Sequence, residues 1–217
     1  MMKKRIFVFF ICIALLLSGC SPRLVGEAKA KEAGHAMIQQ AFEVDLTDAV
    51  VTVEYRERPG VTYQKGESIQ YGTEEPIRFY EIKVNPDEIG NSDYYAEVNA
   101  KTGVAYRANK SIALIPRTEE QLAQAAALKP GDDLPVENYV VDEPGALQQA
   151  EDWVRAHFEP DTPVLRTVPN SSMTDGVNFP LFIVSCFVVF VDGTIYSVDV
   201  CWPTMDVTDV YLCNQEY

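Results

Sequence analysis

The sequence has few of the residues from which catalytic and metal sites are usually built. It contains two histidines, His35 and His157, and neither has a second histidine at helical spacing or a cysteine close by, so no zinc motif forms. It also lacks a Gly-x-Ser-x-Gly elbow, a phosphate-binding glycine loop and a Rossmann fingerprint. We therefore predict no catalytic residue, no metal ligand and no cofactor.

Cationic residues are scarce as well. The chain has 18 Lys and Arg against 32 Asp and Glu, which gives a net charge of −14 at pH 7. A groove that follows a phosphate backbone needs clustered Lys and Arg, so we predict that nucleic acid is not a partner. Basic peptides or cations are the more natural charged partners, although acidity can also serve only to keep an exported protein soluble.

Long apolar runs are missing except at the amino terminus. There, three cations (Lys3, Lys4 and Arg5) precede an apolar run from Ile6 to Leu17, which is the layout of a secretory signal. Twelve residues span roughly 18 Å as a helix, whereas the hydrocarbon core of a bilayer is about 30 Å thick. The run is therefore predicted to direct export and not to remain as a membrane helix.

The end of this run, Leu17-Ser18-Gly19-Cys20, resembles the bacterial lipobox. The resemblance implies that residues 1–19 are removed and that Cys20 carries diacylglycerol and further acyl chains such as palmitate, which would hold the protein durably on a membrane. We therefore expect an exported protein, anchored by lipid to the cell membrane and facing outside the cytoplasm. The alternative is an ordinary signal peptide cleaved near Gly19, with Cys20 incidental.

Hydrophobic periodicity predicts an α+β fold with two tandem units. Residues 27–42 have helical spacing of apolar side chains, and period-two strands follow through residue 109. Residues 20–26 would be the lipid-anchored tether, and residues 58–76 a long surface loop. Each unit is predicted to be one helix packed on an antiparallel sheet of about four strands.

The second unit, residues 144–217, repeats this order after a linker at residues 110–143. In the linker, Thr118-Glu119-Glu120-Gln121 is a capping box for a short helix. Asp142 can cap the second helix, with Pro144 in its first turn. Because helix and strands recur in the same order, we predict an internal duplication.

The dipeptide Asp192-Gly193 predicts a two-residue hairpin loop that places Val191 opposite Thr194. In that register Val189 and Val198 lie beneath Trp153 and Val154 of the second helix. The opposite face is then unusually apolar for a surface, which indicates an interface. We expect the first unit to cover it, the alternative being a partner protein. The predicted interface residues are Val188, Phe190, Ile195 and Tyr211.

Three cysteines remain in the mature chain, and the predicted register places all three on this apolar face. Cys186 would be diagonal to Cys201, at roughly 7 to 8 Å, and Cys213 would lie farther away. A disulfide needs Cα atoms within about 7 Å. We expect reduced thiols, unless a bulge shifts the register and lets Cys201 bridge to a neighbour.

A helix followed by an antiparallel sheet, with the strand and turn Tyr95-Ala96-Glu97-Val98-Asn99-Ala100-Lys101-Thr102-Gly103, resembles the PepSY domain of secreted and membrane-bound bacterial proteins. The resemblance covers mainly residues 28–108. It implies a cystatin-like arrangement of helix and sheet and a non-catalytic envelope module, a type sometimes suggested to restrain proteases or to take part in signalling.

Two functions follow from these observations. The first is a non-catalytic binding or interaction module at the membrane surface, whose partner would be an envelope protein or peptide. The second is a cell-envelope hydrolase that uses dispersed carboxylates. A concave pocket with two carboxylates of perturbed pKa would favour the hydrolase.

Overall fold

The fold is α+β, with two long helices on one face of a single eight-stranded antiparallel sheet. The computed structural model describes residues 24–65, 69–129 and 131–214, so the signal segment and Cys20 lie outside the described residues. The helices are α1 (Glu27–Phe42), α2 (Glu119–Ala127) and α3 (Glu143–His157). Among the described residues, none of the helices is both long and apolar enough to cross a membrane.

In the described part of the chain, ten strands form two sheets. They are β1 (Val51–Arg58), β2 (Thr62–Lys65), β3 (Ile69–Gly72), β4 (Ile77–Val84), β5 (Tyr94–Asn99), β6 (Ala105–Lys110), β7 (Val164–Met173), β8 (Phe182–Phe190), β9 (Ile195–Trp202) and β10 (Asp206–Leu212). The large sheet has the order β1-β4-β5-β6-β10-β9-β8-β7, and β2 and β3 form a separate hairpin.

The two predicted helix-plus-strand halves are present, but their strands form one sheet and not two. Inward from either edge, the strands follow chain order: β1, β4, β5 and β6 from one side, and β7, β8, β9 and β10 from the other. The halves meet where β6 pairs with β10, with Val210 opposite Ala108. Pairing these strands satisfies backbone groups that two isolated sheets would leave exposed at their edges.

Helix α1 covers the first half, as its apolar spacing predicts. Its buried residues include Ala30, Met37 and Ala41. Gly34 allows the helix to approach the sheet closely, because a Cβ at this position would lie 2.9 Å from Cγ1 of Ile82. Helix α3 covers the second half.

The predicted caps of α2 and α3 are confirmed. The Asp142 side chain accepts a hydrogen bond from the Gly145 amide at 3.0 Å, with Pro144 in the first turn of α3. Thr118 and Gln121 form the capping box of α2.

The predicted register of the β8–β9 hairpin is wrong by one residue. Phe190 accepts from Gly193 and donates to Thr194 through the backbone, so the loop contains three residues, and Gly193 adopts a φ of 92°. A slip of one residue turns every side chain of a strand to the other face. As a result Cys186, Val188 and Phe190 face the helices, and Val189 lies on the opposite face.

This slip also corrects the predicted contacts of α3. Val154 is fully buried and Trp153 partly buried in the same cluster as Val198, but Val189 belongs to a cluster on the other side of the sheet. The ring of Trp153 packs instead against Phe42 of α1, with centroids 6.2 Å apart.

Residues 58–76 are not only a surface loop, because they contain the β2–β3 hairpin. Ile69 of this hairpin is buried, and Tyr71 packs against Phe187 with ring centroids 5.3 Å apart. The first half thus covers part of the second half's outer face. The linker covers another part, where Ile115 clusters with Leu181 and Cys201.

The three cysteines are free and buried. They do not share a face as predicted, because Cys186 lies under the helices, whereas Cys201 and Cys213 lie on the opposite side. Burial raises the pKa of Cys186 and of Cys213 to about 12.

Candidate functional site

The sheet face opposite the helices, here called the open face, carries two cavities of about 680 Å³ each. One lies beside the β2–β3 hairpin, and its lining includes Tyr71, Arg107 and Tyr211. The other lies beside the loops at residues 85–93 and 111–113. Asp199 lines both cavities, so it stands at the point where they meet. We call the first cavity the central groove.

Polar side chains cross the open face in two rows set by strand register. Period-two alternation puts every second residue of a strand on this face. Paired positions then extend each row across β4 to β9. One row consists of Glu81, Glu97, Arg107, Tyr211 and Ser197, and the other of Lys83, Tyr95, Asn109, Asp209, Asp199 and Ser185.

Glu97 is the centre of the first row. It is 1% exposed. It accepts two hydrogen bonds from Arg58, at 3.0 and 2.7 Å, and one each from the hydroxyls of Tyr95 (2.7 Å) and Tyr106 (2.6 Å). Burial alone would raise the pKa of Glu97, but these donors hold it below its usual value. Glu97 is therefore an ionised and fully engaged carboxylate.

Asp209 joins the two halves of the sheet. It accepts from Nη2 of Arg107 at 2.8 Å and from Asn109 at 3.0 Å, both on β6. Removal of Asp209 from water raises its pKa more than Arg107 lowers it, and the charge of Asp199 raises it further, to about 6. Nη1 of Arg107 also lies 3.4 Å from Glu97, so this guanidinium connects both rows.

Asp199 is the least engaged of these carboxylates. It lies directly opposite Asp209 in the β9–β10 pairing. The Ser185 hydroxyl donates to Oδ1 of Asp199 at 2.5 Å, and none of the ion pairs found among the described residues includes it. Desolvation raises the pKa of Asp199, and Ser185 and Arg107 offset this only in part.

Tyrosines form the wall of the central groove. Tyr63 and Tyr71 stack across the β2–β3 hairpin with centroids 5.0 Å apart. Tyr211 meets Tyr106 edge to face at 5.8 Å. Rigid aromatic side chains around a charged floor can contact both apolar and cationic groups of a ligand.

The predicted interface face does not exist as one surface. Val188 and Phe190 are fully buried beneath the helices because of the register slip, whereas Ile195 packs with Cys213 on the other side of the sheet. Tyr211 alone among the four residues lines the central groove. The predicted lipidation site, Cys20, lies outside the described residues.

The two histidines are on the helices and not on the open face. Nδ1 of His157 lies 2.8 Å from the carbonyl oxygen of Gln40. Burial and the charge of Lys31 lower the pKa of His35. Within the described part of the chain, no group of three His, Cys, Asp or Glu side chains is arranged to hold a metal ion.

Sequence reasoning missed the central residues of the open face. The available signal was the acidic residue placed among apolar neighbours in three strands: Glu97, Asp199 and Asp209. A charged residue at such a position has to find a partner when the strand is buried. Which partner it finds depends on pairings between strands far apart in the chain.

The chain is an α+β protein in which two helix-plus-strand halves share one sheet. No family model and no curated protein matches it. Among solved structures, the chain is similar to the Bacillus megaterium YpeB C-terminal domain, with 10% sequence identity and a TM-score of 0.41 over 88% of this chain and 64% of that one. The chain thus spans less than two thirds of that structure's length.

Proposed function

We propose that this chain is an envelope lipoprotein that acts as a non-catalytic binding module, with the central groove as its binding site. Lipid on Cys20 would anchor it to the cell membrane, facing outside the cytoplasm. The signal-like residues 1–19 and the lipobox-like sequence before Cys20 support the anchor. The helix-plus-sheet halves are consistent with the PepSY resemblance, which implies restraint of a protease or modulation of another envelope partner.

The observation that carries the binding role is the construction of the groove. Its volume lies in the range of ligand sites, and its tyrosine wall surrounds a few fixed polar groups. The two most buried carboxylates of the open face, Glu97 and Asp209, are 1% and 6% exposed and are already hydrogen bonded. Such groups hold the shape of a site, whereas a general acid or base must reach the substrate.

A second function, a carboxylate-dependent hydrolase of the cell wall, is favoured by one specific observation. Asp199 and Asp209 face each other across paired strands, and the pKa of each is raised. This arrangement meets the condition that would favour an enzyme. Purified protein with cell-wall polymer as substrate tests it: hydrolysis lost in both Asp199→Asn and Asp209→Asn would replace the binding role with a catalytic one.

The anchor is tested by Cys20→Ala. Because lipid on Cys20 would be the sole attachment, the variant should leave the membrane fraction and appear in the soluble extracellular or periplasmic fraction. A variant that stayed in the membrane fraction with its signal segment cleaved would contradict the lipid anchor.

The groove is tested with a random decapeptide display library and the full chain in detergent micelles. Selected peptides should bind the unaltered protein and bind Tyr71→Ala about tenfold more weakly, since a buried aromatic contact is worth about 1 to 2 kcal/mol. Tyr55→Ala is the matched control, because Tyr55 lies on the helix side, against Tyr80. If the selected peptides bound Tyr71→Ala as tightly as the unaltered protein, the binding site would lie outside the central groove.

A further inference from the structure

The charges on the open face do not balance. At the centre of the open face, three carboxylates (Glu97, Asp199 and Asp209) lie beside two guanidinium groups (Arg58 and Arg107). Arg58 is bonded to Glu97, and Arg107 is bonded to Asp209 and also approaches Glu97. When all five groups are ionised, one negative charge remains without an ion-pair partner, and it is on Asp199.

Asp199 is also the most exposed of the three carboxylates, although Asp209 lines the central groove as well. Glu97 and Asp209 are buried, but Asp199 is only half-buried and lines both cavities. Ser185 donates to Oδ1, and no donor to Oδ2 is found among the described residues. Arg107 is engaged by Asp209 and Glu97, which leaves the charge of Asp199 to attract an incoming cation.

The surroundings of Asp199 also suit a cation on a long side chain. The tyrosines of the central groove, Tyr63, Tyr71 and Tyr211, offer ring faces that attract ammonium and guanidinium groups and pack against an aliphatic stem. The chain's net charge of −14 attracts a basic partner from a distance. Both the local and the overall charge therefore select the same kind of ligand.

We propose that Asp199 recognises the side chain of an arginine or lysine in a polypeptide that lies in the central groove. This proposal rests on the binding role of the groove and adds the class of its ligand. The incoming cation would form the ion pair that Asp199 lacks, and the tyrosine wall would hold the residues next to it. Since Asp199 lies where the two cavities meet, an extended segment could place its basic residue there and continue into either cavity.

The test uses the decapeptide library with the full chain in detergent micelles. Selection on the unaltered protein should enrich one position for arginine or lysine, and selection on Asp199→Asn should lose that preference. Asn keeps the oxygen that accepts from Ser185, so the change removes mainly the charge. Asp48→Asn is the matched control: Asp48 is exposed and lies outside both cavities, so the preference should persist.

A second measurement does not depend on any variant. The best selected peptide is synthesised with its basic residue and again with neutral citrulline or glutamate at that position. The basic peptide should bind the unaltered protein about tenfold more tightly than the citrulline peptide, because hydrogen bonds between two charged groups are stronger than those with one neutral partner. The glutamate peptide should bind most weakly.

The outcomes separate this proposal from the one on which it rests. Two outcomes would overturn the role of Asp199 and leave the groove as a binding site. In the first, the selected peptides need Tyr71 but show no preference for a basic residue. In the second, they need Tyr71 and keep a basic preference in Asp199→Asn. If no selected peptide depends on Tyr71, both proposals fail. Both proposals are supported if the selected peptides depend on Tyr71 and lose their basic preference in Asp199→Asn but keep it in Asp48→Asn.

Discussion

The two faces of the sheet are both shielded from water at their centre, but they are held together by different forces. Val98, Val198 and Val210 face the helices and are fully buried. The acidic residue next to each valine in the chain lies on the open face: Glu97, Asp199 and Asp209 respectively. One face is therefore stabilised by apolar area, and the other by ion pairs and hydrogen bonds between partners that must all be present.

The charged face is the side on which the molecule can respond to its surroundings. Apolar contacts change little with pH or salt, whereas buried charges respond to both. The charged face is also the one with the larger cavities. Ligand binding and sensitivity to pH are thus expected on the same side of the sheet.

The largest effect on stability is expected at Glu97. Glu97→Gln should lower the free energy of unfolding by about 3 kcal/mol, the lower end of the range for a buried ion pair, because Arg58 is left uncompensated but is 36% exposed and stays partly hydrated. Urea unfolding at pH 7 measures the loss. Glu57→Gln is the control, since Glu57 pairs with Arg78 at the surface and should cost under about 1 kcal/mol. Equal losses in the two variants would contradict a charge-stabilised open face.

The next largest effect is a dependence of stability on pH that comes from Asp209. Its pKa is about 6 in the folded protein, against an ordinary value of 3.8. The folded state therefore holds the proton more tightly than the unfolded chain between about pH 4 and pH 6. Stability falls as the pH rises through this window, by about 3 kcal/mol for a shift of roughly two units.

Glu97 acts in the opposite direction and at lower pH, because its pKa is lowered and its contribution is lost only on acidification. The difference in unfolding free energy between the unaltered protein and Asp209→Asn, measured at pH 4.5 and at pH 7, isolates the Asp209 contribution. The unaltered protein should lose stability relative to Asp209→Asn as the pH rises. Parallel pH curves for the two proteins would show that Asp209 does not titrate in this window.

The same contrast explains what the sequence could predict. Helices α1 and α3, the Asp142 cap and the Thr118 capping box depend on residues within a few positions of one another, and all were predicted. The β8–β9 register was not, because Asp192-Gly193 suits a loop of two or of three residues and nothing local decides between them. The one-residue difference in loop length determines the face of the sheet on which Val188 and Phe190 lie.

The open face could not be predicted because its contacts join distant parts of the chain. Arg107 bonds to Asp209, 102 residues away, and Arg58 bonds to Glu97, 39 residues away. Those partners meet only after β6 pairs with β10 and β1 with β4. An acidic residue in an apolar strand indicates that a partner is needed, but the identity of the partner is a property of the assembled sheet.

Cysteine labelling measures which face of the sheet opens first. Cys186 lies under the helices, whereas Cys213 lies under the two-stranded β2–β3 hairpin. A short hairpin can detach at lower cost than a helix packed in the main core. Cys213 should therefore react with iodoacetamide about tenfold faster than Cys186 in the native protein, a difference of about 1.4 kcal/mol in opening free energy.

Peptide mass spectrometry of partly labelled protein gives the two rates, and full unfolding of the mature lipidated chain should expose three reactive thiols: Cys186, Cys201 and Cys213. Fewer than three would reveal a disulfide. Equal rates for Cys186 and Cys213 in the native protein would mean that the two faces open together, as one cooperative unit.

The smallest expected effect concerns a polar contact on the apolar side, where α1 and α3 meet. His157 donates from Nδ1 to the carbonyl oxygen of Gln40, and the Gln40 side chain donates to the carbonyl oxygen of His157 at 2.5 Å. Both carbonyls belong to the last turn of a helix, where no intrahelical donor is available. Each helix thus supplies the side chain that satisfies the end of the other.

His157→Ala should lower the free energy of unfolding by only about 1 kcal/mol, the worth of an ordinary hydrogen bond, and should leave peptide binding in the groove unchanged. His35→Ala is the matched control. Nε2 of His35 is buried with no hydrogen-bond partner found among the described residues, and alanine has the higher helix propensity, so this change should not destabilise. Urea unfolding and the library-selected peptides provide the two readouts. If His157→Ala lost peptide binding with its unfolding transition intact, the functional site would lie on the helix side. The assignment of ligand binding to the open face would then be wrong.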